Sequence, residues 1–582
     1  MQRPPAVAGA RWVRALVAVA LTALGDPAFA QPAGVAATAP MRLDNADADA
    51  RRWLEQGRQA RRAGDLYAAL AAFAKARDLQ PDDAEIAQAL ADLLVDLGAP
   101  TAASDVLGPR TDIGLRSRIA AQRLRWATEI PVHSTDPARR FDDVDRALVG
   151  LDALLIEARA ATPRDNGLLR RLQRDRAVAL RQRERWLDVV EQADALRRDG
   201  DSPLPIYVQL AEADARLALR QPAGARALYD DALQRLTPAE RTAARTTLRE
   251  LLRNRFYAEV EDEDFAAAFA TADALAALDA QPFRHDSERE TPQPNTDWLA
   301  AQAIGAMARN YADMPDAAWA RMKPLVDGAP SLPWLRVAAA DIAAQRGWVR
   351  RAEADIEVAR ALAPDDFGIR IAQVDSDVRR HRLARADERT APLLEPGAGM
   401  PVLDRVKRDL DAAAGPSVRI DVGGSQTQGD AARAPEPGLS AALRVESQSF
   451  GGLWRLVGFA DHADARPDDV TTRRDRAGAG VIARWPDVGA EALAWSQSGS
   501  LDNGGASLNG FWELDDHWTL LGAAERHSAD SPLRADAAGI SADVARLGVR
   551  YAWHESAQVE LQAQTTRFSD GNRRETGALV SS

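Results

Sequence analysis

The hydrophobic period of this sequence changes once, at "DAAAGPSVRI", and that change bounds what the chain can fold into. Before Gly415 and Pro416 the apolar residues recur at helical spacing. After them they recur at every second position, as at Leu547, Val549, Tyr551 and Trp553, then at Val559, Leu561 and Ala563. A period of 3.6 puts an apolar stripe on a helix, and a period of two puts an apolar face on a strand. Gly followed by Pro closes the last helix, because neither residue continues it well. The sequence therefore predicts an α+β multidomain chain, with a helical array over 31–415 and an antiparallel sheet over 416–582. At 582 residues the chain is long enough for both.

The helical part repeats about every 34 residues. In "RRWLEQGRQARRAGDLYAALAAFAKARDLQPDD", Trp53, Gly57, Gly64, Ala69, Phe73, Ala76 and Pro81 stand where a tetratricopeptide repeat places them. Small residues at Gly57, Ala69 and Ala76 let two antiparallel helices approach closely. Trp53 and Phe73 fill the space between helix pairs, Gly64 and Asp65 turn the chain, and Pro81 stops the second helix. Gly98, Ala103 and Leu107 repeat the pattern, as do Ala225, Tyr229 and Ala232. "RGWVRRAEADIEVARALAPDD" does so again, with Gly347, Ala352, Ile356, Ala359 and Pro364. Roughly eight to ten such repeats fit before residue 412, and stacked repeats form a superhelix whose concave face binds a partner. The acidic run Glu261 to Asp264 reads as a solvated turn, and the Pro-rich stretch 279–298 as a long loop.

The second part reads as strands divided by Gly, Asp, Asn and Pro. They are expected at 418–425, 439–447, 454–462, 476–485, 489–496, 506–514, 518–526, 544–553 and 559–568, with a tenth beginning at Gly577. A soluble sandwich also alternates. Three features favour a membrane barrel: strands long enough to cross at a tilt, connections alternating between tight ones such as "ELDDHW" and long polar ones, and aromatic residues near strand ends. The strands from Trp454 and from Gly489 do not reveal which face is which.

The N-terminus agrees with export. Arg3, Arg11 and Arg14 precede the apolar run "ALVAVALTALG" and the small residues of "AFA", which predicts a signal peptide over 1–30 with cleavage before Gln31. The run is shorter than the roughly 20 residues a membrane span needs. A net charge of −12 argues against nucleic acid as a partner. There is no cysteine, so disulfides and thiolate metal sites are excluded. The seven histidines are scattered without ligand spacing, and neither a phosphate-binding loop nor a nucleophile elbow is present. No metal, no cofactor and no enzyme activity are expected.

Signal peptide, tetratricopeptide array and barrel in one chain resemble the poly-β-1,6-N-acetyl-D-glucosamine export porin family. "WELDDHWTLLGAAERHSADSPLRADAAGISAD" and "RFSDGNRR" resemble that family's barrel strands and loops, and "PNTDWLAAQA" and "RGWVRRAEADIEVARALAPDD" resemble its last repeats. The resemblance implies an outer-membrane porin that exports a partly de-N-acetylated, partly cationic polymer into the biofilm matrix. It implies periplasmic repeats that dock a polysaccharide deacetylase and guide the polymer, and a barrel embedded in lipid with a negatively charged lumen. It also implies about sixteen strands ending on an aromatic residue. This chain has about ten and ends "ALVSS", so the sequence is expected to stop inside the barrel. The alternatives are a periplasmic scaffold anchored by a plugged barrel, or a porin for another exopolysaccharide. If Leu508, Trp512, Leu514, Val559 and Leu561 face lipid, alternation puts Glu513 and Glu560 in the lumen. The same logic puts Glu446 there opposite Leu443 and Val445, and Glu525 opposite Trp518 and Leu520. These four acids are the expected polymer contacts. The competing expectation is that they pair with Arg444, Arg484, Arg546 and Arg550.

Overall fold

The computed structural model describes residues 43–110, 112–129, 139–243, 245–284, 291–395, 400–425, 438–465 and 471–581. The expected signal peptide lies outside them. The chain divides, within the helix Phe265–Leu278, into two compact units, one up to Thr271 and one from Ala272 onward.

The first unit is built of antiparallel helix pairs. It begins with Leu43–Arg62 against Leu66–Leu79 and Ala84–Asp96 against Pro100–Leu107. Ala69, Phe73 and Ala76 have no exposed surface, and Trp53 is partly buried against the same core. A Cβ at Gly57 would stand 2.4 Å from the Phe73 ring, so that glycine is what lets the two helices close. Gly64 turns the chain at φ +82°, and Asp65 then caps the next helix by accepting from the Ala68 amide at 3.0 Å. Pro81 sits in the turn after Leu79. The repeats that look degenerate in sequence are helical too, at Asn166–Gln182 with Trp186–Arg198 and at Arg245–Glu261. The acidic run is the turn after Arg245–Glu261, with Asp264 paired to Arg226 at 2.7 Å.

The second unit continues with helix pairs Thr296–Tyr311 and Pro315–Gly328, Pro333–Gln345 and Val349–Leu362, Phe367–Arg379 and Leu383–Leu394, followed by Pro401–Ala414. Ala352 and Ala359 are buried, Gly347 turns at φ +79°, and Pro364 lies in the turn after Leu362. The loop before Thr296 contains a two-residue ladder, β1 (Phe283–Arg284) with β2 (Gln293–Pro294). No described helix is long and apolar enough to cross a membrane.

The large sheet begins at Ser417, next to Gly415 and Pro416. The strands are β3 (Ser417–Ser425), β4 (Gly438–Glu446), β5 (Trp454–Ala465), β6 (Thr472–Arg484), β7 (Val488–Gly499), β8 (Asn503–Glu513), β9 (Trp518–Arg526), β10 (Ala542–His554), β11 (Ala557–Phe568) and β12 (Arg573–Ser581). They form one ten-stranded antiparallel meander in sequence order, and its two outer strands, β3 and β12, do not pair with each other. The tenth strand begins four residues earlier than Gly577, because Arg573 already opposes Arg567.

Register assigns the faces. Val488, Trp512, Leu520, Val549, Leu561 and Leu579 oppose one another in a single row across six strands. Leu508, Trp512, Leu520, Leu547, Leu561 and Leu579 are all exposed, so among the described residues nothing covers these positions of the face. Strands of 9 to 13 residues are long enough for a tilted crossing. Five of the six tryptophans of the sheet lie at or next to strand ends, as the sequence leads one to expect, but at one end of the sheet only. The exposed tryptophans of the sheet, Trp454, Trp485, Trp512, Trp518 and Trp553, gather at one end, where the connections 485–487, 514–517 and 555–556 are short. Trp495, away from that end, is only 8% exposed.

Candidate functional site

The face opposite the apolar one is polar, and it carries all four predicted acids. Glu513, Thr519, Arg550 and Glu560 form one cross-strand row. Glu446 and Glu525 share another row, through Val457, Gly480, Leu493 and Ser507. The two strands that sequence left ambiguous are settled here. Val457, Phe459, Leu493 and Trp495 point to the polar side, where they cover glycines. The Trp495 ring lies 2.4 Å from the Cβ position of Gly505, and Leu493 lies 2.6 Å from that of Gly480. Bare backbone at those positions would otherwise lie open to water.

Each predicted acid meets an arginine. Glu446 pairs with Arg444 at 2.9 Å, Glu513 with Arg484 at 3.9 Å, Glu525 with Arg546 at 3.1 Å and Glu560 with Arg550 at 2.8 Å. Sequence reasoning missed three more acids on this face. Glu491 shares Arg444 with Glu446, Asp461 pairs with Arg476 at 2.9 Å, and Asp421 pairs with Arg419 at 2.8 Å. The polar face of the described strands is therefore charge-compensated, where the resemblance implied a negative lumen. Five of these seven carboxylates find a guanidinium on their own or the adjacent strand, while Glu513 reaches Arg484 two strands away and Glu491 reaches Arg444 three strands away. Between them runs an open groove of about 390 Å³, lined by Arg484, Glu491, Asn509, Phe511, Arg546 and Gln562. Arg484 lies over the Phe511 ring at 4.8 Å. Paired charges, amides and an aromatic edge in an open groove offer hydrogen bonds to a sugar chain without fixing a full charge on it.

At the short-connection end, the last helix pairs are fastened to the sheet. The helix Val349–Leu362 has no side-chain cap of its own. Asp516, from the turn between β8 and β9, supplies it, accepting from the Arg350 amide at 2.8 Å and the Arg351 amide at 3.0 Å. A carboxylate there satisfies free amides and meets the positive end of the helix dipole. Asp487, from the turn between β6 and β7, takes Arg350 at 2.9 Å and the buried Arg380 at 2.6 Å. Trp348 donates to the Trp553 carbonyl at 3.2 Å, and Arg455 donates to the Gly415 carbonyl at 2.8 Å. Burial pushes the His381 imidazole beside this junction down to about 4, with Arg484 and Arg455 adding to the shift, so it is neutral at neutral pH. The change from helix to strand falls at Gly415–Ser417, but the helices on one side of it are tied to the turns on the other.

A family model described as the PgaA membrane beta barrel domain matches residues 420–581. The chain is 26% identical over 479 residues to the poly-beta-1,6-N-acetyl-D-glucosamine export protein of Escherichia coli (strain K12), covering 80% of this chain and 56% of that protein. The protein of the same name from Escherichia coli O157:H7 gives the same figures. The chain thus spans about half the length of the curated relatives it matches. A solved bacterial polysaccharide outer membrane secretin is 24% identical over 29% of this chain and 56% of that one, at a TM-score of 0.26. A tetratricopeptide repeat protein from Parabacteroides merdae ATCC 43184 is 13% identical over 62% of this chain and 99% of that one, at a TM-score of 0.29. At TM-scores this low the two structural likenesses carry no argument.

Proposed function

We propose that this chain, which belongs to the poly-β-1,6-N-acetyl-D-glucosamine export protein family through its PgaA-type membrane barrel domain, is an outer-membrane conduit for that polymer. The observation that carries the reading is the ten-stranded sheet itself. One face is apolar and bare, the other is polar and grooved, and the family model covers nearly all of it. In lipid, an apolar outer face and a hydrated inner face are what a transport barrel needs. The relative's name supplies the cargo class, and the lack of an enzymatic site in the sequence fits a conduit rather than a catalyst.

In this reading residues 1–30 direct export and the helices up to Ala414 lie in the periplasm. They guide a partly de-N-acetylated polymer toward the barrel and dock the deacetylase that processes it. The exposed tryptophans at the short-connection end then sit at the periplasmic lipid boundary. Glu446, Glu513, Glu525 and Glu560 contact the polymer from within ion pairs, so a cationic amine competes with an arginine already present.

Replacing Glu446, Glu513 and Glu560 together by Gln tests this. The acids are 21% to 30% exposed, and such solvated pairs contribute about 0–1 kcal/mol each. The folded, heat-modifiable form is therefore expected to persist, while polymer released to the cell surface falls toward the level of a strain lacking the gene. Surface polymer unchanged with the barrel folded removes the acids from the pathway. Surface polymer equally high without the gene removes the export reading altogether.

A further inference from the structure

The connection between β9 and β10, residues 527–541, does not stand clear of the sheet. Its short helix, Leu533–Ala537, packs on β6. In the sheet order β7 and β8 lie between β6 and β9, so the connection crosses their polar side, a reach of about 14 Å at ordinary strand spacing. What holds it there is Arg474, on the polar face of β6. Arg474 donates to the Ser531 carbonyl at 2.9 Å and the Ala529 carbonyl at 2.7 Å, and pairs with Asp536 at 3.3 Å. Arg474 is 8% exposed and Asp536 1%. Ser528 and Ser531 are buried in the same contact.

The root of the connection is fastened separately. Ser528 Oγ donates to Glu525 at 2.5 Å, and Arg546 pairs with both Glu525 and Asp530. His527 at one end takes φ +51° and Gly539 after the helix takes φ +73°. These two left-handed positions turn the chain over the sheet and back. For a non-glycine residue such as His527 that backbone carries strain, which the contacts of the closed arrangement must outweigh. At the distal end, two carbonyl hydrogen bonds and one ion pair converge on Arg474.

We infer that residues 527–541 are a strap closing the polar conduit at the end away from the helices, and that Arg474 is its latch. With the latch made, the strap lies across the polar face over β7 and β8. With it broken, the strap stays tethered through Glu525 and Arg546 and swings about His527 and Gly539, which clears that end of the polar face. A carbonyl-rich polymer is suited to release the latch, because Arg474 is held by two carbonyl oxygens and a carboxylate, and the acetamido oxygens of a hexosamine chain present the same acceptor. The inference rests on the conduit reading only for what passes; the latch itself is a matter of contacts.

The chain has no cysteine, so a single introduced thiol reports without background. Ser531→Cys keeps the backbone carbonyl that Arg474 uses. In cells carrying the full chain, this thiol is expected to react slowly with a membrane-impermeant maleimide. Adding Arg474→Gln or, separately, Asp536→Asn is expected to speed labelling by about tenfold or more, as a segment held by few contacts opens locally. Uptake of a bulky hydrophilic dye should rise with it. Two variants are needed because Arg474→Gln leaves Asp536 buried without its partner, and folding is checked by heat modifiability. Equal labelling rates in the parent and in either folded variant overturn the latch. Faster labelling without dye entry keeps the latch but overturns the closure. Absence of the chain from the outer-membrane fraction sinks the conduit reading instead, which separates the two failures.

Discussion

Phe73→Ala is expected to loosen the first repeat more than any other single truncation in the pair Leu43–Arg62 and Leu66–Leu79. Phe73 has no exposed surface and its ring fills the space that Gly57 leaves. Removing a fully buried aromatic side chain costs about 3–5 kcal/mol, because the lost burial is joined by a cavity the helices cannot fully close. The chain has two units, so one global melting temperature is not the right readout. Hydrogen exchange read on amides of 43–79 is. Their protection should fall by two orders of magnitude or more, while Leu79→Ala, at a 41% exposed position, leaves it nearly unchanged. Equal small effects from both variants would place the repeat register wrongly.

Asp377→Ala is the second large effect. Asp377 is 1% exposed and accepts from Arg385 at 2.9 Å and Arg389 at 2.7 Å, with Arg382 3.7 Å away. One carboxylate thus ties the helix Phe367–Arg379 to Leu383–Leu394. Removing it leaves guanidinium groups facing each other without their shared anion. A buried pair broken this way loses about 3–5 kcal/mol. These arginines keep 20% to 42% exposure and Glu353 also binds Arg382, so solvent and the remaining acid reduce the loss to about 2–3 kcal/mol. Amides of 367–394 should exchange some thirty-fold faster or more, and Asp377→Asn should recover part of the protection. Unchanged exchange in Asp377→Ala would mean that the network is ornamental to this helix pair.

The sequence announces these elements unevenly, for physical reasons. Trp53 to Pro81 is legible because small and large residues at fixed spacing are what close helix packing requires. Alternation located every strand of the sheet within a few residues, and put Glu446, Glu513, Glu525 and Glu560 on the polar side. It failed on β5 and β7 because Phe459, Leu493 and Trp495 are apolar residues on that polar side, placed there by glycines on neighbouring strands. Glu491 was lost with β7 for that reason. Asp516 read only as part of a tight turn, since its partners Arg350 and Arg351 lie more than 160 residues away. Arg474 and the strap are hidden in the same way: "HSADSPLRADAAGISAD" has the composition of a free polar loop, and nothing local tells it to fold back. The gathering of exposed tryptophans at one end needed strand direction as well as strand position.

The central claim is that one face of this sheet meets lipid and the other lines water. Spin labels on single cysteines at successive positions along β8, from Leu508 to Glu513, test it most directly in the full chain in outer membranes. The account predicts a two-residue period of opposite phase for two relaxants: oxygen collisions peak at Leu508, Gly510 and Trp512, and collisions with a water-soluble nickel complex peak at Asn509, Phe511 and Glu513. Equal access of the nickel complex to both sets would contradict it, because a sheet wet on both faces does not cross a membrane.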